Sequence, residues 1–277
     1  MKKLLLALSC VGVFAIANAQ QLKTPQPSTT QTIKQDLGLG NIELSYSRPN
    51  MKGRKIFGDL VPFGKVWRTG ANGATTLTFT DEVIIGGTKI PAGKYGLLSI
   101  PDAKEWTIII SKQTDVTSPA AYKPEMDVVR VKATPMALPW SFETFGISFE
   151  NIKDNGCEVM MAWDKTLVSF AITTDVDGKV MKQIDNIMKG DSKPYFAAAA
   201  YYLENGKDLN QAIVWFDKAI EQNPKAFWVY YQKAKALAKL GKKTDALAVS
   251  NKSIELAKEA KNDDYVALNE KLQKDLK

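Results

Sequence analysis

The apolar residues of this 277-residue chain change their spacing at Thr173. Before it they alternate with polar ones. Leu77 and Phe79 flank Thr78, Val129 and Val131 alternate with Arg130 and Lys132, and Phe145, Ile147 and Phe149 alternate again. Period two sends successive side chains to opposite faces of a strand. After Thr173 the spacing becomes helical, with Val180, Ile184, Ile187 and Met188 on one face. One packed layer cannot serve both periods. Two parts follow: an antiparallel, all-β sandwich over residues 30–174 and an all-α part over residues 175–277.

In the first part, strands are expected over residues 30–35 and 41–47, parted by Gly38 and Gly40, and the alternation resumes from Val66. Gly86-Gly87 after Val83, Ile84 and Ile85 is a hairpin signal. Residues 94–100, Trp106 to Ile110, the valines near 130, Phe145 to Phe149, residues 157–163 and residues 167–173 complete eight to ten short strands. Residues 115–124 read as a loop. Turns every 8–12 residues suit a sandwich or barrel.

The helical part carries a repeat. Phe196, Ala212, Phe216, Ala219 and Pro224 have the spacing of a tetratricopeptide unit. A shift of 34 gives Tyr230, Ala246, Ser250 and Ser253, a looser match. Two units are expected, over about 193–226 and 227–260, with a capping helix after them. Ser192 reads as a helix cap ahead of Pro194, and Asp208 with Gln211 as an Asp variant of a capping box. D-V-D-G at Asp175 to Gly178 lacks the further carboxylates of a calcium loop and reads as a helix start.

The first residues read as an address. Lys2 and Lys3 precede an apolar run, and Ala17-Asn18-Ala19 follows it. That pattern is a signal peptide over 1–19, cleaved after Ala19, which places the protein in the periplasm or outside the cell. Cys10 sits inside the run with Ala7 three before it, which argues against a lipid anchor, and the run is short for a membrane span. Residues 20–29, rich in Gln, Pro, Ser and Thr, read as a flexible lead-in.

Composition closes several chemistries. Histidine is absent, and the two cysteines fall to Cys157 alone once the signal leaves. No internal disulfide, Ser-His-Asp triad or Cys/His zinc site can then form. Cys157 alternates with apolar residues and reads as a small buried hydrophobe. Net charge falls from +7 to +5 when Lys2 and Lys3 are removed, too mild an excess to call for nucleic acid. No cofactor is implied.

The densest cluster of cations and aromatics lies between Arg48 and Arg68. Arg48, Lys52, Arg54, Lys55, Lys65 and Arg68 stand against the single acid Asp59, interleaved with Phe57, Phe63 and Trp67. Guanidinium groups grip carboxylate or phosphate in bidentate fashion, and Trp stacks on sugars or cations. Arg48, Lys52, Arg54, Lys55, Trp67 and Arg68 are therefore the candidate binding residues, for an acidic glycan or a peptide carboxylate. The bland alternative has Arg54 and Arg68 paired with acids such as Glu43, and Trp67 in the core.

Y-S-R-P at Tyr46 to Pro49 and K-G-R-K-I-F-G-D-L-V-P-F-G-K-V-W-R-T-G-A-N at Lys52 to Asn72 resemble the exported bacterial family called domain of unknown function 2911. I-P-A-G-K-Y at Ile90 to Tyr95 and E-W-T-I-I at Glu105 to Ile109 extend the likeness, which runs more weakly to Thr173. The resemblance implies export and accommodates a helical tail. Gly73 departs from it, where an acid is expected. The family brings no catalytic residue with it.

Non-catalytic binding or scaffolding in the bacterial envelope is the expected role. One competitor is a hydrolase of envelope or dietary polysaccharide built on paired carboxylates, with Glu43, Asp59, Asp81 and Glu82 to draw on. The other is protein–protein interaction through the repeats alone, where Lys233, Lys235, Lys239, Lys242 and Lys243 make the second helix pair basic.

Overall fold

Ten strands and six helices form from residues 24–276, the part of the chain that this computed structural model describes. The expected signal peptide, its cleavage point and residues 20–23 of the lead-in lie outside that range. The chain divides into two compact units between Asp175 and Val176.

The strand unit opens on a hairpin, β1 (Thr29–Leu37) and β2 (Gly40–Arg48), in unbroken register. Next come β3 (Ala71–Phe79), β4 (Val83–Ile85), β5 (Thr88–Ile90), β6 (Gly93–Ile100), β7 (Trp106–Ser111), β8 (Asp127–Ala133), β9 (Met136–Lys153) and β10 (Gly156–Thr173). One sheet runs β1-β2-β3-β6-β7-β8 and the other β5-β4-β10-β9, and every pairing is antiparallel. Leu44 lies opposite Leu77, and Leu97 opposite Ile110. These side chains meet Ile85, Phe145, Val159 and Trp163 of the second sheet in a single core. Each fully buried side chain of this size contributes about 1.5–3 kcal/mol. The alternating sequence thus gives the antiparallel β-sandwich it calls for.

The Gly86-Gly87 hairpin forms with both residues at positive φ (56° and 78°). A Cβ at Gly86 would stand 2.3 Å from Val131 Cγ1, so packing and backbone both demand glycine there.

Several local expectations need correction. Residues 157–163 and 167–173 are one 18-residue strand, β10, which absorbs Asp164 at φ 50° among register shifts. β9 begins at Met136, well before the alternation around Phe145, because a proline such as Pro139 is tolerated on an edge strand. Residues 66–70 are not strand: only Trp67 bridges, to Ser99. The loop expected over 115–124 contains the 3-10 turn Pro119–Ala121 and leads into a second at Pro124–Met126.

The helical unit comprises α1 (Val176–Ile187), α2 (Tyr195–Glu204), α3 (Leu209–Gln222), α4 (Phe227–Lys239), α5 (Lys243–Glu259) and α6 (Asp263–Leu276). Asp208 caps α3, its carboxylate accepting from the amides of Asn210 and Gln211. Ser192 does not cap α2. Pro194 holds the cap position itself, without a side-chain bond. Ala199, Ala212, Phe216 and Ala219 are buried between the paired helices. In the second pair Ser250 and Ser253 are buried at the positions of Phe216 and Ala219. There Ser250 Oγ donates to Asn269 Oδ1, Asn269 Nδ2 donates to Ser253 Oγ, and Ser253 Oγ donates to the Phe227 carbonyl. A satisfied polar network therefore stands in the second helix pair where the first has an aromatic side chain, which is why the spacing shifted by 34 matches loosely. Among the described residues, no helix is long and apolar enough to cross a membrane.

Candidate functional site

Two segments of the basic stretch are pinned to different sheets. The first, residues 49–54, runs beside β9. The Phe145 amide donates to Pro49 O at 2.9 Å, and the Met51 amide to Glu143 O at 2.7 Å. The chain then turns through Lys52 and Gly53, both at positive φ, and the Lys52 amide donates to the Glu143 carboxylate at 2.8 Å. The second segment, residues 62–71, lies beside β6. Trp67 and Ser99 exchange two main-chain hydrogen bonds, and the Gly64 amide reaches Pro101 O. Buried Thr69 shares a hydroxyl bond with Ser99 at 2.9 Å.

Between these segments lies a cavity of about 450 Å³. Lys52 and Arg54 line it from the first segment, Lys65 and Arg68 from the second, and no lining residue is acidic. Trp67 and Trp163 also line it, their rings stacked at 19° with centroids 5.9 Å apart. Trp163 is 2% exposed, and its indole N–H donates to Glu143 O. Behind this pair, Phe57, Trp106 and Phe145 close an aromatic cluster with centroids 4.9–6.4 Å apart. Trp67 is thus a half-buried member of the core edge that also faces the cavity.

The guanidinium groups are held by main chain. Arg54 donates from Nε to Met51 O at 2.9 Å and from Nη2 to Asn50 O at 2.6 Å. Arg68 donates from Nη1 to Thr117 O, and its Nε is buried without a hydrogen-bond partner. Among the described residues, no ion pair involves Arg48, Arg54 or Arg68. The pairing with Glu43 considered from sequence is not formed: Glu43 lies on β2, opposite Lys34 and Thr78.

Four of the six candidates, Lys52, Arg54, Trp67 and Arg68, come together around the cavity. Arg48 does not line it and donates from Nε to Phe145 O at 3.1 Å. Lys55 is exposed and does not line it either. Sequence reasoning missed Lys65 as a wall residue, Trp163 as floor, and Ser118 and Pro119 from the distant loop. Only Lys65 carried a visible signal, its place inside the basic run. That loop is fixed by Gln113, which donates to Ala121 O and accepts from the Lys123 amide. Tyr122, Asp127 and Arg130 fasten its far end. Burial, then the bond to Asp127, pushes the Tyr122 hydroxyl up to about 12.

None of Glu43, Asp59, Asp81 and Glu82 lines the cavity. Gly73 does not either, and a Cβ there would meet nothing within 4 Å, so packing does not require its glycine. On the helical unit, Asp177 lies in the first turn of α1, and hydrogen bonds from Lys207 and then Tyr201 hold its carboxyl below the usual range. The basic face expected on α4 is largely satisfied from within. Lys233 pairs with Asp217, Lys235 with Glu204 at 2.9 Å, and Lys239 donates to Leu203 O at 3.0 Å.

Residues 28–172 match a family described as "Protein of unknown function (DUF2911)", and residues 215–248 match the tetratricopeptide repeat. No curated protein and no solved structure gives a match.

Proposed function

The chain belongs to the DUF2911 family of proteins of unknown function, and from its own site we propose a non-catalytic binding protein of the bacterial envelope that holds an anionic ligand in the cavity beneath the basic segments. The observation that carries this reading is the cavity's composition: four cations, no acid, and a stacked tryptophan pair as floor. Like charges around one recess raise its potential and draw anions in. The arginines are already ordered by carbonyls, so a ligand does not have to freeze them. An aromatic floor favours a ligand with a flat or sugar-like body. The protein's place after export rests on the signal-like first residues alone. The test is calorimetric titration of the full chain with polygalacturonate and with an acidic peptide, repeated on Arg54→Ala/Arg68→Ala. Binding by the wild type that the folded double variant loses supports the reading. An unfolded double variant, with no binding by the wild type, makes these arginines structural.

A second reading rests on the tetratricopeptide repeat, which suggests protein–protein interaction. Because the α4 lysines are mostly committed internally, we place a partner on the remaining surface, where Val214 of α3 is 53% exposed. A partner recovered from envelope extract by the full chain, lost with Val214→Asp and kept with Arg54→Ala, would assign binding to the helices. The reverse pattern would assign it to the cavity.

A further inference from the structure

The cations of the cavity are not one patch. They come in two pairs, each pair carried by a segment anchored to a different sheet: Lys52 and Arg54 through β9, and Lys65 and Arg68 through β6. Each pair contains one arginine whose position is set by carbonyl acceptors. Arg54 gives Nε and one Nη2 hydrogen to main chain, and Arg68 gives one Nη1 hydrogen. A guanidinium has five N–H groups. Arg54 therefore keeps both Nη1 hydrogens and one on Nη2, and Arg68 keeps one on Nη1, two on Nη2 and the buried one on Nε. With no carboxylate among the lining residues, these donors have no acidic partner within the cavity wall. A single carboxylate occupies one such fork. It would leave the opposite pair uncompensated.

Resting on the anion-binding reading above, we propose that the cavity is built for a dianion: one carboxylate or phosphate at each cation pair, joined by a flat ring or sugar body over Trp67. A volume of about 450 Å³ accommodates such a molecule of a few rings. Trp67 and Trp163 line the same cavity as the four cations, Trp67 half-buried and Trp163 2% exposed. Organic dicarboxylates and short oligouronides share this chemistry.

The experiment compares matched probes on the full chain by quenching of tryptophan fluorescence and by calorimetry. Naphthalene-2,6-dicarboxylate is set against naphthalene-2-carboxylate, and digalacturonate against galacturonate. The dianion of each pair should bind about tenfold or more tightly than the monoanion, the effect of one added charge-assisted contact. Arg54→Ala should bring that ratio close to one by weakening the dianion more than the monoanion. Preference for the naphthalene pair over the sugar pair would assign the source to aromatic acids, and the opposite to uronides. Equal affinity for mono- and dianion overturns the dianion proposal and leaves the anion site standing. No binding by any of the four probes, with Arg68→Ala indistinguishable from wild type by thermal shift in their presence, overturns both.

Discussion

Two clusters of positive charge, one on each unit, look alike in sequence and differ in structure. On α4, Lys233 and Lys235 find carboxylates on α3 and α2, and Lys239 finds a carbonyl. Around the cavity of the strand unit, the arginines find only main-chain carbonyls, and the wall holds no acid. In the first cluster two lysines are paired with carboxylates and a third is tied to a carbonyl. The second is left with an unbalanced field over an apolar floor. Charge density along a chain thus says little about a site until the partners of each charge are known.

The largest expected effect tests whether the floor is a rigid platform. Trp163→Ala removes a fully buried ring from the aromatic cluster and should cost about 3–5 kcal/mol in a denaturant titration of the full chain. A cost below about 1 kcal/mol would mean that the cluster does not brace the cavity. Next comes the contrast itself. Arg68→Ala should weaken binding of an anionic probe about 10–100-fold, the loss of a charged hydrogen bond, whereas Lys235→Ala should leave that affinity unchanged. Equal losses from the two variants would erase the distinction between the clusters.

A smaller effect is expected on the helices. Lys233→Ala should lower stability by about 0.2–1 kcal/mol, and added salt should shrink the difference, since its Asp217 partner is half exposed. The last effect touches neither cluster and is absent at neutral pH. Burial pushes the Cys157 thiol up to about 11, so the native chain should resist alkylation at pH 8 and react on unfolding. The folded state keeps this proton longer than the unfolded state. Its contribution is therefore fully present below the ordinary thiol value near 8.5 and is lost as pH rises toward about 11. A stability profile that slopes less steeply across that alkaline window in Cys157→Ala than in wild type would show the linkage.

Much of the fold was legible because alternation, glycine turns and helical spacing are local. The β-sandwich, the Gly86-Gly87 hairpin and the Asp208 cap follow from residues within a few positions of one another. The misses were set by distance or by edges. Pro139 argues against a strand unless its edge position is known, and Asp164 breaks a pattern that the partner strand β9 accommodates. At the site, the basic run was visible, but its division into two anchored walls was not. That division depends on Glu143, Ser99 and Pro101, residues 30 or more positions away. Trp163 could not be linked to Trp67 by spacing, since 96 positions separate them and only sheet packing stacks the rings.

The polar network at Asn269 has a consequence for anyone who would lengthen this protein. Asn269 Oδ1 takes the Ser250 hydrogen, and its Nδ2 serves Ser253 and the Tyr265 carbonyl, so α6 is fastened to α5 by groups whose bonds are already shared out. An apolar newcomer would strand the Ser250 hydroxyl in a dry interface, at a cost of about 1–3 kcal/mol. Putting an apolar helix in the place of α6 therefore means exchanging Ser250 along with Asn269 for hydrocarbon.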